Sequence, residues 1–216
     1  MAEKKSQEVA LFPIPGCAVF PGTVFPLHVF EPRYRTMVKQ CLDSNMPIAI
    51  CHTKKVLHEV KPPPTQEEAL QSNQTTYKPF SVFSAGLCEH VSTTNDGRLL
   101  VNVYVDRRLI LLEEIQTLPF SIGLCDPYLD FILSPEEIAE SELLKDKILH
   151  RLIAFSANDP QALQRLESEY WQSMPASAFS FEVFSIIRFD GDIQQAILED
   201  RSALSRLQNI LNVLNG

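Results

Sequence analysis

Apolar positions follow two different rules along the chain. Up to about residue 130 they come in short runs cut by prolines, as in extended segments. Beyond it they recur at three- and four-residue spacing, as in helices. Leu11-Phe12-Pro13-Ile14 and the run from 19 to 30 are dense in aromatics and prolines. Proline fixes φ and removes a backbone donor, so these are expected as short extended pieces, bulged or at sheet edges, with a turn at Pro21-Gly22. Glu31-Pro32 opens a helix: Pro suits the first helical position, and Glu31 lies at the positive end of the helix dipole. Tyr34, Met37, Val38, Cys41 and Leu42 form one apolar stripe on it, and Asn45 and Pro47 end it. Ile48–Cys51 is expected as a buried strand. Residues 61–79, with Pro62-Pro63-Pro64 and a remainder rich in Gln, Ser, Asn and Thr, are expected as a mobile polar loop. Residues 80–91 form a strand with a bulge at Gly86, and Asn95-Asp96-Gly97 a hairpin turn. Residues 99–112 form two strands parted at Asp106-Arg107-Arg108, and 118–124 a last extended piece.

The later part starts with a capping signal. Ser134, Pro135 and Glu137 stand as N-cap, first helical residue and capping-box partner of a helix expected to run to about Phe155. Asp159-Pro160 caps a second helix through Leu163, Leu166 and Tyr170 to Trp171, the tryptophan serving as an inter-helix anchor. Pro175 opens a third with Phe179, Val183, Phe184 and Ile187 on it. Asp190-Gly191-Asp192 breaks that one, a short helix carries Ile193, Ala196 and Ile197, and Asp200 caps the last, with Leu204, Leu207, Ile210, Leu211 and Leu214 on one face. The pattern predicts an α+β chain with a β part over 1–127, holding one helix, and a helical bundle over 128–216.

Composition narrows the function. The 216 residues are 45% hydrophobic and 21% charged, an ordinary globular balance. Net charge is −8, with 19 basic and 27 acidic residues, which disfavours a general nucleic-acid binder. Residues 1–127 hold 12 basic and 13 acidic groups, and 128–216 hold 7 and 14. The acidity therefore belongs to the helical half, as solvated helix faces. The start has no apolar signal segment, and no run approaches the ~18 apolar residues of a membrane span. Cys17, Cys41, Cys51, Cys88 and Cys125 are odd in number and scattered, as expected of free, mostly buried thiols in a reducing cytoplasm. No glycine pair has the spacing of a phosphate loop, a dinucleotide fingerprint or a nucleophile elbow.

Leu11-Phe-Pro-Ile-Pro15 followed by Val19-Phe-Pro-Gly-Thr-Val-Phe-Pro-Leu-His-Val-Phe-Glu-Pro-Arg33-Tyr34 resembles the opening of the Lon protease N-terminal domain. The likeness continues through Pro47-Ile-Ala-Ile, Ala85-Gly-Leu-Cys-Glu-His-Val91, Asp96-Gly-Arg-Leu99 and Arg107-Arg-Leu109. It reaches Gln195-Ala-Ile-Leu-Glu199 and Arg206-Leu207, and so covers nearly the whole chain. The resemblance implies a PUA-like β pseudo-barrel followed by a helical bundle. It also implies a role in recognising substrate polypeptides, with ATP hydrolysis and proteolysis left to domains for which this sequence carries no motif. Such domains also stand alone in bacteria, and the chain resembles that version. The family often has Gly where Asp106 stands here, which puts the geometry of a local bend in question.

The resemblance points to a non-enzymatic module gripping unfolded or extended polypeptide, with a protease ATPase as a further partner and no cofactor. The candidate surface is Phe20, Phe25, Leu27, Phe30, Glu31, Arg33 and Tyr34. For the aromatics the competing reading is core packing; for Glu31 and Arg33 it is a helix start with a local ion pair. Two other classes stay open. A thiol hydrolase would use Cys51 or Cys88 with a nearby histidine. A PUA-like RNA-binding module would use Arg107-Arg108, for which a surface pair at a strand end is the plainer reading. Cys51 and His52 point to opposite faces of a strand and cannot chelate together. Cys88 and His90 share a face but lack the further ligands of a zinc site.

Overall fold

The computed structural model describes residues 6–61, 65, 68 and 71–215. In chain order the strands and helices are β1 (Gln7–Pro13), β2 (Val24–Val29), α1 (Pro32–Ser44), β3 (Ile48–Cys51), β4 (Thr53–His58), β5 (Thr76–Pro79), β6 (Val82–Thr93), β7 (Leu99–Gln116) and β8 (Ile122–Pro127). Then come α2 (Pro135–Phe155), α3 (Pro160–Leu166), α4 (Glu169–Ser173), α5 (Ala176–Glu182), a 3₁₀ turn (Val183–Ser185), α6 (Gly191–Glu199) and α7 (Ala203–Asn215). The chain divides into two compact units. One is Met1–Tyr128 with Phe189–Glu199, and the other is Leu129–Arg188 with Asp200–Gly216.

The first unit is built on a mixed six-stranded sheet in the order β2-β7-β6-β3-β1-β8, in which β8 also pairs with β7. β1 runs parallel to β3 and antiparallel to β8. Both faces of the central strands are covered, which is why they read as unbroken apolar runs rather than alternating ones. Ala10, Ile48, Ile50, Val101 and Val103 face Tyr34, Met37, Val38 and Cys41 of α1. Val9, Leu11, Ala49, Cys51, Phe83 and Leu109 form a core on the other side. Leu42, expected on the buried stripe of α1, is exposed. Pro32 stands in the first turn of that helix, and Asn45 ends it in the left-handed region at φ 54°.

Gly86 marks the expected bulge. The β6–β7 register shifts there, and a Cβ would overlap the Tyr104 carbonyl. Gly97 turns the β6–β7 hairpin at φ +85°. Three expectations give way. β7 is one 18-residue strand that continues through Asp106-Arg107-Arg108 instead of ending there. Asp106 and Arg107 pair with each other at 2.6 Å. Arg108 is no surface group: it is buried, and its Nη1 donates to the Leu198 carbonyl at 2.6 Å. Asp106 is the extra residue of the β6–β7 bulge, since Arg107 pairs with Ala85 and Val105 with Gly86, so the local irregularity lies at the position where the family often has glycine. Part of the expected loop is also structured, since β5 pairs with β4 in a separate two-stranded sheet. Pro62-Pro63-Pro64 lie outside the described residues.

The helix α6 goes with the sheet, not with the other helices. Gln195 Nε2 donates to the Val82 carbonyl at 2.9 Å, Tyr128 Oη to the Glu199 carbonyl at 2.8 Å, and Arg108 to Leu198 as above. Its buried face is Gln194, Gln195, Ile197 and Leu198, whereas Ile193 and Ala196 face out.

In the second unit Ser134 forms the full capping box with Glu137 that its spacing predicted. The helix expected from Pro160 to Trp171 is two helices, with Ser168 as the N-cap of α4. Trp171 is buried, edge-on to Phe179 at 5.7 Å. Not every charged residue is a solvated one. Lys145 is buried and donates to the carbonyls of Gln172 and Met174 at 3.1 and 3.0 Å. Arg206 is fully buried and grips both carboxylate oxygens of Asp130 at 2.7 Å. Among the described residues no helix is long and apolar enough to cross a membrane.

Candidate functional site

A cleft of about 490 Å³ opens in the first unit beside β2 and the start of α1. One wall is residues 25–30 with Glu31, Arg33 and Tyr34. The facing walls are residues 12–15, at the end of β1, and Val60, Gln74, Thr75 and Tyr77, around the start of β5. Local chemistry sets the first wall. β2 alternates, with Leu27 and Val29 buried, Phe25 half-buried and Val24, Pro26 and His28 exposed. Pro32 then turns the chain into α1 and brings Glu31, Arg33 and Tyr34 to the same place.

Of the seven residues singled out from sequence, Phe25, Leu27, Phe30, Glu31, Arg33 and Tyr34 line this cleft. Phe20 does not: it is buried in the interior at 2% exposure. Phe12, Ile14, Gln74, Thr75 and Tyr77 are additional lining residues. The first two stand in the Leu11–Pro15 motif. The others come from the polar segment before and within β5, which carries no periodic signal.

The charged pair in the cleft holds the backbone in place. Glu31 Oε2 meets Arg33 Nη2 at 2.9 Å and accepts the Gln74 N–H at 2.9 Å. Arg33 Nη1 donates to Thr76 Oγ1 at 3.0 Å, and Nη2 to the carbonyls of Gln74 and Thr75 at 3.3 Å. The Arg33 guanidinium lies over the Tyr34 ring at 4.6 Å, and Phe12 packs on that ring at 4.3 Å between centroids. Burial pushes the Tyr34 phenol up to about 12, against the opposing pull of Arg33. A neighbouring cleft of about 350 Å³ shares Pro13, Arg33, Tyr34 and Tyr77, and adds Leu57, Pro79, Leu118, Pro119 and Phe120.

The wall at 12–15 is held through the next residue, Gly16. His52 is buried, and its Nδ1 accepts the Gly16 N–H at 3.0 Å. A backbone N–H can only donate, so the ring hydrogen sits on Nε2, facing Asp192 Oδ1 at 3.0 Å. Phe80 stacks on the ring at 5.1 Å. Gly191 approaches Gly16 so closely that a Cβ there would lie 2.8 Å from its backbone.

The other candidate chemistries are placed differently. Burial raises every thiol whose shift is resolved: Cys41 and Cys125 to about 12, Cys51 well above its ordinary value, and Cys88 upward. That suppresses the thiolate a hydrolase needs. His90 Nε2 lies 2.9 Å from Thr93 Oγ1. Among the described residues no group of three or more His, Cys, Asp and Glu is placed to hold a metal ion.

Comparison with known proteins agrees with the fold. The family model described as the ATP-dependent protease La (LON) substrate-binding domain matches residues 8–216. Lon protease 1 of Herpetosiphon aurantiacus is 24% identical over 212 residues, which is 96% of this chain and 24% of that protein. The chain thus spans about a quarter of that relative's length. Two solved structures share the fold. The N-terminal domain of a Mycobacterium avium complex Lon protease has a TM-score of 0.68 at 12% identity, covering 97% of this chain and 98% of that one. A Lon N-terminal domain protein from Xanthomonas campestris has a TM-score of 0.59 at 17% identity, covering 95% and 98%. With the family model spanning all but the first seven residues, the chain belongs to the LON substrate-binding domain family.

Proposed function

We propose that this protein is a non-enzymatic recognition module that binds extended, uncharged polypeptide segments in the cleft beside β2. The observation that carries it is the make-up of that cleft. Phe12, Ile14, Phe25, Leu27, Phe30, Tyr34 and Tyr77 supply an apolar lining, and Glu31 and Arg33 neutralise each other within it. A concave, mostly apolar site with few polar groups suits an apolar ligand. Family membership supports polypeptide as the ligand. On this reading the cleft lies on a PUA-like pseudo-barrel, supported by the pairing of β8 with both β1 and β7, and a helical bundle forms the second domain. Transfer of the bound segment to a protease ATPase is proposed from the Lon protease relative.

The raised thiols weigh against the hydrolase alternative, and the buried Arg108 against a basic RNA-binding pair. The test is fluorescence anisotropy with a labelled, permanently unfolded polypeptide. Saturable binding at tens of micromolar is expected, weakened about tenfold by Phe25→Asp. Absence of binding at that concentration overturns the proposal.

A further inference from the structure

We infer that the cleft takes its polypeptide as an added β-strand along the outer edge of β2. This rests on the polypeptide-binding reading and goes beyond it by fixing the ligand's backbone conformation and side-chain pattern. Among the described strands β2 pairs with β7 alone. The Val105 N–H donates to the Thr23 carbonyl at 2.9 Å, and the register continues as Phe25 with Val103, Leu27 with Val101 and Val29 with Leu99. In an antiparallel ladder, pairs that exchange hydrogen bonds alternate with pairs that do not. Phe25, Leu27 and Val29 therefore bond to β7, and Val24, Pro26 and His28 turn their backbone groups to the outer edge. The proline agrees independently, because a proline within a strand must point its missing N–H away from the partner strand.

The outer edge thus presents the N–H and C=O of Val24 and His28 and the C=O of Pro26. Residues 25–30 line the cleft, so a strand added there lies inside it. An added strand shares the alternation of β2. Every second ligand side chain then enters beside Phe25 and Leu27, and the intervening ones face solvent. The occupant is an extended segment with apolar residues at alternate positions. The inward positions are uncharged, because Glu31 and Arg33 already form a closed pair at 2.9 Å. Main-chain bonds supply affinity without regard to sequence, and the alternate pockets supply selectivity.

The probe is an end-blocked, fluorescent octapeptide alternating Leu with Ser, titrated against the whole chain and scanned by N-methylation one residue at a time. Methylation at every second position is expected to weaken binding about tenfold, and at the positions between by less than about twofold. Pro26→Ala supplies the missing donor and is expected to tighten binding severalfold. Binding that persists with a flat methylation scan, or a Pro26→Ala variant that binds no better, overturns strand addition and leaves the cleft reading standing. The latter outcome would leave Pro26 as a guard against edge-to-edge association. Failure of every peptide to bind overturns both.

Discussion

Glu31 and Arg33 meet at 2.9 Å and reach the same stretch of chain, Glu31 through the Gln74 N–H and Arg33 through Thr76 Oγ1 and two carbonyls. Both side chains are about nine-tenths buried, at 11% exposure. Removing one partner leaves the other charged and enclosed. Glu31→Ala is expected to cost about 3 kcal/mol in urea denaturation, and Glu31→Gln, which keeps an acceptor for Gln74, distinctly less. A loss below about 1 kcal/mol for Glu31→Ala would show that the pair is solvated in solution.

Tyr34 ties stability to alkaline pH. Its phenol is raised from 10.0 to about 12 in the fold, chiefly by burial. A group with a raised folded pKa contributes stability that is fully present below its unfolded pKa and is lost as pH rises through the folded one. The window is therefore pH 10 to about 12, and two units correspond to about 3 kcal/mol. Tyr34→Phe is expected to flatten stability against pH across that window, measured by denaturant titration at successive pH values. Cys41 and Cys125, raised from 9.0 to about 12, leave a residual slope. Identical profiles for wild type and variant would contradict the assignment.

Thiol labelling checks the absence of cysteine chemistry. Cys41, Cys51 and Cys125 are buried, and burial raises all three together with the half-buried Cys88. Iodoacetamide at neutral pH is expected to modify these four more slowly than a free thiol in the native protein, and at ordinary thiol rates after unfolding. One rapidly labelled cysteine among them would revive the hydrolase reading.

His52 positions the wall of the cleft through Gly16. His52→Leu removes the acceptor and strands a backbone N–H, at an expected cost of about 1–3 kcal/mol and with weaker peptide binding. His52→Asn, which returns an acceptor near Nδ1, is expected to recover much of both. Asp192 is 84% exposed, so Asp192→Asn should change stability by less than about 1 kcal/mol. Equal losses for Leu and Asn at position 52 would assign the effect to packing against Phe80 instead.

Much of this architecture was legible because it is written locally. The Pro32 helix start, the Ser134 capping box and the Asn95-Asp96-Gly97 turn each rest on residues a few positions apart. What was hidden depends on distant partners. Asp106-Arg107-Arg108 looks like a break until Leu198 supplies an acceptor for Arg108 deep in the interior. Arg206 looks like a surface charge until Asp130, 76 residues away, meets it. β4 and β5 carry mostly exposed and half-buried residues, so neither shows an alternating apolar signal. The candidate site divides the same way. Residues 25–34 are consecutive and were visible as a group, whereas Gln74 and Thr75 are tied to the cleft by hydrogen bonds with Glu31 and Arg33, and Tyr77 comes to it on β5, which pairs with β4.

The most direct test of the central claim is chemical-shift mapping of the ¹⁵N-labelled protein titrated with the alternating apolar octapeptide. The account predicts that perturbed amides gather on residues 12–16, 24–34 and 74–77, the walls of the cleft and the edge of β2. Perturbations confined to the helices between Pro135 and Asn215, or no perturbation at millimolar peptide, would contradict it.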